Sequence, residues 1–197
     1  MSDPTPLAVV DGWLTGAERL VSPNADQRPP GELPSLLVIH NISLPPGCFG
    51  GGEIRAFFTN CLDCSAHPYF AEIAGLRVSA HLLIDRGGSV TQFVSFLDRA
   101  WHAGVSSFEG RERCNDYAIG IELEGTDTEP YTESQYGMLA AVCRVLMATY
   151  PAITPARITG HADIAPGRKT DPGASFDWPR LRAMVAAGHQ PEEGRTV

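Results

Sequence analysis

Apolar positions recur along this chain in two periods, and the switches between them outline a fold. Residues 36–39 (LLVI) form a short continuous apolar run ending at His40. That is the pattern of a strand buried on both faces, with a histidine at its C-terminal end. Residues 78–85 and 90–96, separated by Arg86-Gly87-Gly88-Ser89, read as strand, turn and strand, hence a hairpin. In the first arm Val78, Ala80, Leu82 and Ile84 share one face, while Ser79, His81, Leu83 and Asp85 share the other. Residues 117–124 (YAIGIELE) alternate again, placing Ile119, Ile121 and Leu123 opposite Gly120, Glu122 and Glu124. Residues 157–159 read as a further short strand leading to Gly160-His161.

The helical period is clearest in TESQYGMLAAVCRVLMATY (132–150). Thr132 and Gln135 have capping-box spacing, Leu139, Val142, Cys143, Leu146 and Tyr150 form an apolar stripe, and Pro151 ends it. Residues 53–62 have helical composition, and Asp177 is placed to cap a last helix over 177–188. The segment 22–34 (SPNADQRPPGELP) reads as an irregular arm, and 41–52 (NISLPPGCFGGG) as a long loop whose glycines would permit a lid. Interleaved strands and helices, with both hairpin and crossover connections, predict an α/β domain of α+β character built on a mixed central sheet. The expected divisions are an arm at 1–35, one domain at 36–188 and a loose tail at 189–197.

Composition narrows the partners. Of 197 residues, 43% are hydrophobic and 19% charged, as in an ordinary globular domain. The net charge of −8, with no Lys/Arg-rich run, argues against nucleic acid or an anionic membrane surface as partner. An anionic ligand would need individual arginines to hold it. The N-terminus has neither a basic start nor an apolar run of signal-peptide length, so a cytoplasmic, soluble protein is expected. The odd set Cys48, Cys61, Cys64, Cys114 and Cys143 then reads as reduced thiols. Cys61-x-x-Cys64 with His67 leaves open a second metal site, but no fourth ligand lies nearby in sequence.

A hydrolytic zinc site needs three protein ligands and one open position for water. His40, His161 and Asp171 form a candidate set, the last two flanking the loop HADIAPGRKTD. Spacing alone leaves a purely structural role for them open. Longer blocks say more: residues 38–47 (VIHNISLPPG), 76–84 (LRVSAHLLI), 99–106 (RAWHAGVS), 110–127 (GRERCNDYAIGIELEGTD), 160–173 (GHADIAPGRKTDPG) and 176–182 (FDWPRLR). Through these the chain resembles the AmpD-type N-acetylmuramyl-L-alanine amidases, over about residues 36–182.

The resemblance implies a mixed sheet flanked by helices, shared with phage-type amidases and peptidoglycan recognition proteins. It implies one zinc per chain on His40, His161 and Asp171. It implies catalytic roles for Glu122 and Lys169, and these suit a proton-shuttling carboxylate and an ammonium that stabilises an oxyanion. Glu124 shares the strand face and is a rival base. The resemblance further implies substrate contacts near Asn41, Trp101, His102, Arg77 and Arg113. His102 could instead pack against Trp101, and His81 could line the site or bond the sheet edge, whereas His67 and His189 read as surface or loop histidines. The expected activity is hydrolysis of the amide between the lactyl group of 1,6-anhydro-N-acetylmuramic acid and L-alanine of the stem peptide. It would be carried out by a monomer on small soluble muropeptides during cytoplasmic wall recycling. A muropeptide-binding module without catalysis, or a hydrolase of another amide, are the competing readings.

Overall fold

The computed structural model describes residues 6–188. The expected tail at 189–197, with His189, lies outside the described residues. A six-stranded mixed sheet forms the middle of the domain. In chain order its strands are β1 (Glu18–Arg19), β2 (Leu36–Ile42), β3 (Leu82–Ile84), β4 (Val90–Gln92), β5 (Ala118–Glu124) and β6 (Ile158–Gly160). Their spatial order is β6-β2-β5-β3-β4-β1. The pairs β2–β5, β5–β3, β6–β2 and β1–β4 are parallel, and the β3–β4 hairpin is antiparallel.

The apolar runs explain why β2 and β5 occupy the centre. Leu36, Leu37, Val38 and Ile39 are all fully buried, because both faces of the sheet are covered. Leu37 and Ile39 join Ile119, Ile121 and Leu123 in the main core, against the stripe Leu139, Val142, Cys143 and Leu146 of α3 (Glu133–Thr149). The Thr132–Gln135 capping box forms as its spacing predicts and satisfies otherwise unpaired backbone donors, a contribution of about 1 kcal/mol. The last helix, α5 (Trp178–Ala187), starts at Asp177, whose side chain accepts from the Arg180 N–H. On the opposite face, Leu36 and Val38 pack with Ala103, Cys114, Tyr117 and Ile164. Beside them α1 (Glu53–Phe58) and α2 (Pro68–Ile73) cover a third cluster around Phe58, Phe70, Leu83 and Phe93.

Three expectations need correction. The first 35 residues are not a separate arm in their described part. Leu14 lies in the main core, Glu18–Arg19 forms the edge strand β1, and Ala25–Gln27 pairs with Asp98–Ala100. Arg28, from the supposedly irregular stretch, is buried and donates to the carbonyls of Phe96, Asn115, Asp116 and Ala118. The hairpin is also shorter than its alternation suggests. Its first strand begins only at Leu82, so Ala80 packs with Leu83 rather than with Leu82 and Ile84. Finally, the helix expected over 53–62 stops at Phe58, and α2 was not foreseen.

Candidate active site

Sheet register assembles the site. In the parallel pairing of β2 with β5, His40 stands beside Glu122. On the other side of β2, Gly160 pairs with Ile39, so His161 follows at the level of His40. The carboxyl ends of three adjacent parallel strands thus deliver the chemistry, where open α/β sheets place their sites. His161 opens the short helix α4 (His161–Ile164), and the chain after it returns so that the Asp171 carbonyl accepts the Ala162 N–H at 2.9 Å.

His40, His161 and Asp171 meet as their intact pattern suggested. The two Nδ1 atoms approach to 2.9 Å, and each lies 3.0 Å from Asp171 Oδ2. Both histidines are buried. Burial pushes the His40 imidazole down to about 4, against the pull of Asp171. Burial would raise the Asp171 carboxyl, but the side-chain contacts with His161 and His40 prevail and hold it below the usual carboxylate range. Two imidazole nitrogens and one carboxylate oxygen converging at this spacing suit a divalent cation of borderline softness. Among the described residues this is the one His/Cys/Asp/Glu group so gathered. Cys61 and Cys64 instead donate their thiols to the carbonyls of Thr59 and Leu62, and His67 caps α2 by accepting from Tyr69 N–H.

The two rival carboxylates separate clearly. Glu124 is buried, and its oxygens accept the Gly50 N–H at 2.6 Å and the Arg86 N–H at 3.2 Å. It therefore ties the 41–52 loop to the hairpin turn. Glu122 lines the cleft and has a buried Oε2 without a hydrogen-bond partner. Burial, then the neighbouring charge of Asp171, raises its carboxyl well above the usual range, while Lys169 opposes the rise. A cleft-lining carboxyl without a hydrogen-bond partner, beside a candidate cation site, is placed where a general acid–base would stand. Lys169 lines the same cleft.

That cleft encloses about 690 Å³ and has two unlike walls. Leu44, Phe57, Tyr69, Ile73 and Val78 supply an apolar side, and His40, His161 and Asp171 with Arg168, Lys169 and Asp127 a polar one. Asn41, Trp101 and His102 all line it. The Asn41 amide donates to Asp127 Oδ1 and to the Pro172 carbonyl. Arg77 and Arg113 stand outside the lining. Arg77 is exposed and donates to the Ala74 and Leu76 carbonyls, and Arg113, in a left-handed conformation (φ 60°), pairs with Asp116 at 2.9 Å.

His81 proves structural: its N–H and Nδ1 bond the Gly120 carbonyl and amide of β5, within a fully buried setting. Two contributors were not singled out in the sequence. Arg168 donates to the carbonyls of Ala103 and Val105, and Asn115 Oδ1 accepts the N–H groups of His102 and Ala103. Both serve through backbone groups, which leave no mark in residue type.

Residues 30–174 match the family described as N-acetylmuramoyl-L-alanine amidase. A Salmonella typhimurium (strain SL1344) protein named 1,6-anhydro-N-acetylmuramyl-L-alanine amidase AmpD is 64% identical over 181 residues, spanning 92% of this chain and 96% of the relative. The crystal structure of an AmpD selenomethionine derivative superposes with a TM-score of 0.88 at 63% identity, covering 90% of this chain and 98% of that one. AmpDh3 from Pseudomonas aeruginosa, solved in complex with anhydromuramic pentapeptide, superposes at 0.57 with 29% identity over 79% of this chain and 61% of its own. By sequence over most of its length, and by the fold that carries its site, the chain belongs to the N-acetylmuramoyl-L-alanine amidase family.

Proposed function

We propose that this amidase is zinc-dependent and cuts the amide between the lactyl group of 1,6-anhydro-N-acetylmuramic acid and L-alanine in small muropeptides. The observation that carries the reading is the convergence of His40 Nδ1, His161 Nδ1 and Asp171 Oδ2 beside the partnerless Glu122 Oε2. The names of the AmpD relatives supply the anhydro sugar, and the bound anhydromuramic pentapeptide of AmpDh3 supports a ligand of that size.

His40, His161 and Asp171 would hold the ion. Bound there, zinc supplies Lewis acidity toward a water and toward the scissile carbonyl. Glu122 takes a proton from the attacking water as the new C–O bond forms. It returns that proton to the alanine nitrogen as the C–N bond breaks, so acid and amine leave in balance. Lys169 stabilises the negative charge that develops on the carbonyl oxygen. Trp101 offers a flat face to the sugar or the alanine methyl. From outside the wall, Arg77 (whose neighbours Leu76 and Val78 both line the cleft) and Arg113 are proposed to meet stem-peptide carboxylates.

The setting we infer is cytoplasmic recycling of soluble muropeptides. Supporting it, Cys48 and Cys61 are exposed free thiols, which suit a reducing compartment. Among the described residues no helix is long and apolar enough to cross a membrane. The test is mass analysis of products from an anhydromuramyl tripeptide, with and without removal of metal by a chelator. Release of intact peptide with a free L-alanine amine, lost on chelation and restored by zinc, is expected. Cleavage elsewhere, or indifference to chelation, overturns the reading.

A further inference from the structure

The two histidines at the metal position differ in what holds their outward nitrogens. A neutral imidazole that presents Nδ1 to a cation carries its proton on Nε2. For His161 that N–H faces the Ala103 carbonyl at 3.1 Å, an atom that only accepts. For His40 the partner is His102 Nδ1 at 2.9 Å, the two rings meeting edge-on with centroids 5.0 Å apart. Since His40 Nε2 must donate, His102 Nδ1 must accept, and the His102 proton is confined to its own Nε2. That nitrogen is buried and has no hydrogen-bond partner in the protein.

The backbone at His102 is itself fixed, and its ring is closely packed. Asn115 Oδ1 accepts the backbone N–H groups of His102 and Ala103, at 3.2 and 2.8 Å. Arg168 donates to the Ala103 carbonyl at 2.7 Å. Below the ring, β5 carries Gly120, where a Cβ would lie 2.4 Å from His102 Cγ. Two consecutive residues, His102 and Ala103, thus hold the outer nitrogens of both histidines.

We propose that His102 is a positioning residue for the metal site: it fixes the His40 tautomer that turns Nδ1 toward His161 and Asp171. This rests on the metal reading given above. The partner of a metal-bound histidine is commonly a carboxylate, a carbonyl or water. A carboxylate at 102 would add negative charge beside Asp171 and Glu122. A neutral imidazole orients His40 without that charge and leaves the cation more electrophilic.

Two variants separate acceptor from bulk. His102→Leu removes the acceptor at similar size, whereas His102→Asn can place Oδ1 near the position of Nδ1. Zinc dissociation constants are measured on the full chain by competition with a chromophoric chelator, and urea unfolding is measured on the metal-free forms. His102→Leu is expected to weaken zinc binding about 10- to 100-fold, with His102→Asn recovering most of the loss. Equal zinc affinity in His102→Leu and the parent overturns the proposal, as does an Asn variant no better than Leu. If His102→Leu does not fold, nitrogen-15 NMR of the zinc-loaded parent decides. Unprotonated His102 Nδ1 with protonated His40 Nε2 is expected, and the reverse overturns the assignment. A parent that binds no zinc refutes the metal reading itself, a failure distinct from tight zinc binding that ignores position 102.

Discussion

Glu122 and Glu124 lie two residues apart on one face of β5, yet one has a buried oxygen without a partner and the other accepts two backbone N–H groups. The same residue type is left open to the cleft at one position and committed to architecture two residues on. Glu122→Gln should therefore lower kcat about 10²- to 10⁴-fold while zinc content and unfolding midpoint stay near the parent's. Glu124→Gln should instead lose about 1.5–3 kcal/mol of stability in urea unfolding, the scale for hydrogen bonds to a charged group. A Glu124→Gln enzyme that is stable but inactive, beside an active Glu122→Gln, reverses the assignment.

Metal retention and turnover should separate along the cleft. His161→Ala removes one of three converging donors and should leave purified protein depleted of the single zinc proposed for the parent. Lys169→Ala should keep that zinc while kcat falls about 10²- to 10³-fold, as for loss of an oxyanion-stabilising group. Metal analysis beside steady-state kinetics checks both. Full zinc in His161→Ala is incompatible with the site described.

Adding one methyl group should have opposite effects at two glycines. At Gly120 a Cβ would fall 2.4 Å from His102 Cγ and 2.6 Å from its Nδ1. Gly120→Ala should cost about 1–3 kcal/mol by overpacking and weaken zinc binding as the ring is displaced from His40. Gly137 lies within α3 with open space where a Cβ would stand. Gly137→Ala should stabilise by about 0.5–1 kcal/mol through helix propensity, with activity unchanged. Urea unfolding curves for the two variants give the comparison directly.

Substrate preference tests the proposed role of the arginines. Release of peptide should be far faster from soluble anhydromuropeptides than from cross-linked peptidoglycan. Arg77→Ala or Arg113→Ala should lower kcat/KM about tenfold to a few hundredfold, the scale of a lost charge-assisted contact of about 1.5–3 kcal/mol. The penalty should vanish on muropeptides lacking the contacted carboxylate. Equal rates on polymer and monomer, with neither arginine mattering, point to a wall-facing amidase.

Much of this was legible in the sequence, because it rests on local pattern. The continuous apolar run before His40, the alternation through Glu122 and the Thr132–Gln135 box each encode an element through short-range chemistry, and each element formed. Residue type in long matching blocks singled out His40, His161 and Asp171, and the fold brought their donor atoms to within 3.0 Å. Other features depended on which segments meet across the chain. Glu18–Arg19 is a strand only because β4 offers it an edge, and Arg28 is buried only because four distant carbonyls await its guanidinium. Glu122 and Glu124 are alike in sequence, and only the loop amide of Gly50 and the turn amide of Arg86 distinguish them. The link from His102 to His40 spans 62 positions and needs the absence of a side chain at Gly120, a relation no periodicity records. Local pattern determines the elements because its interactions lie within a few residues. Register and packing decide the partners because those interactions exist only once the chain has closed on itself.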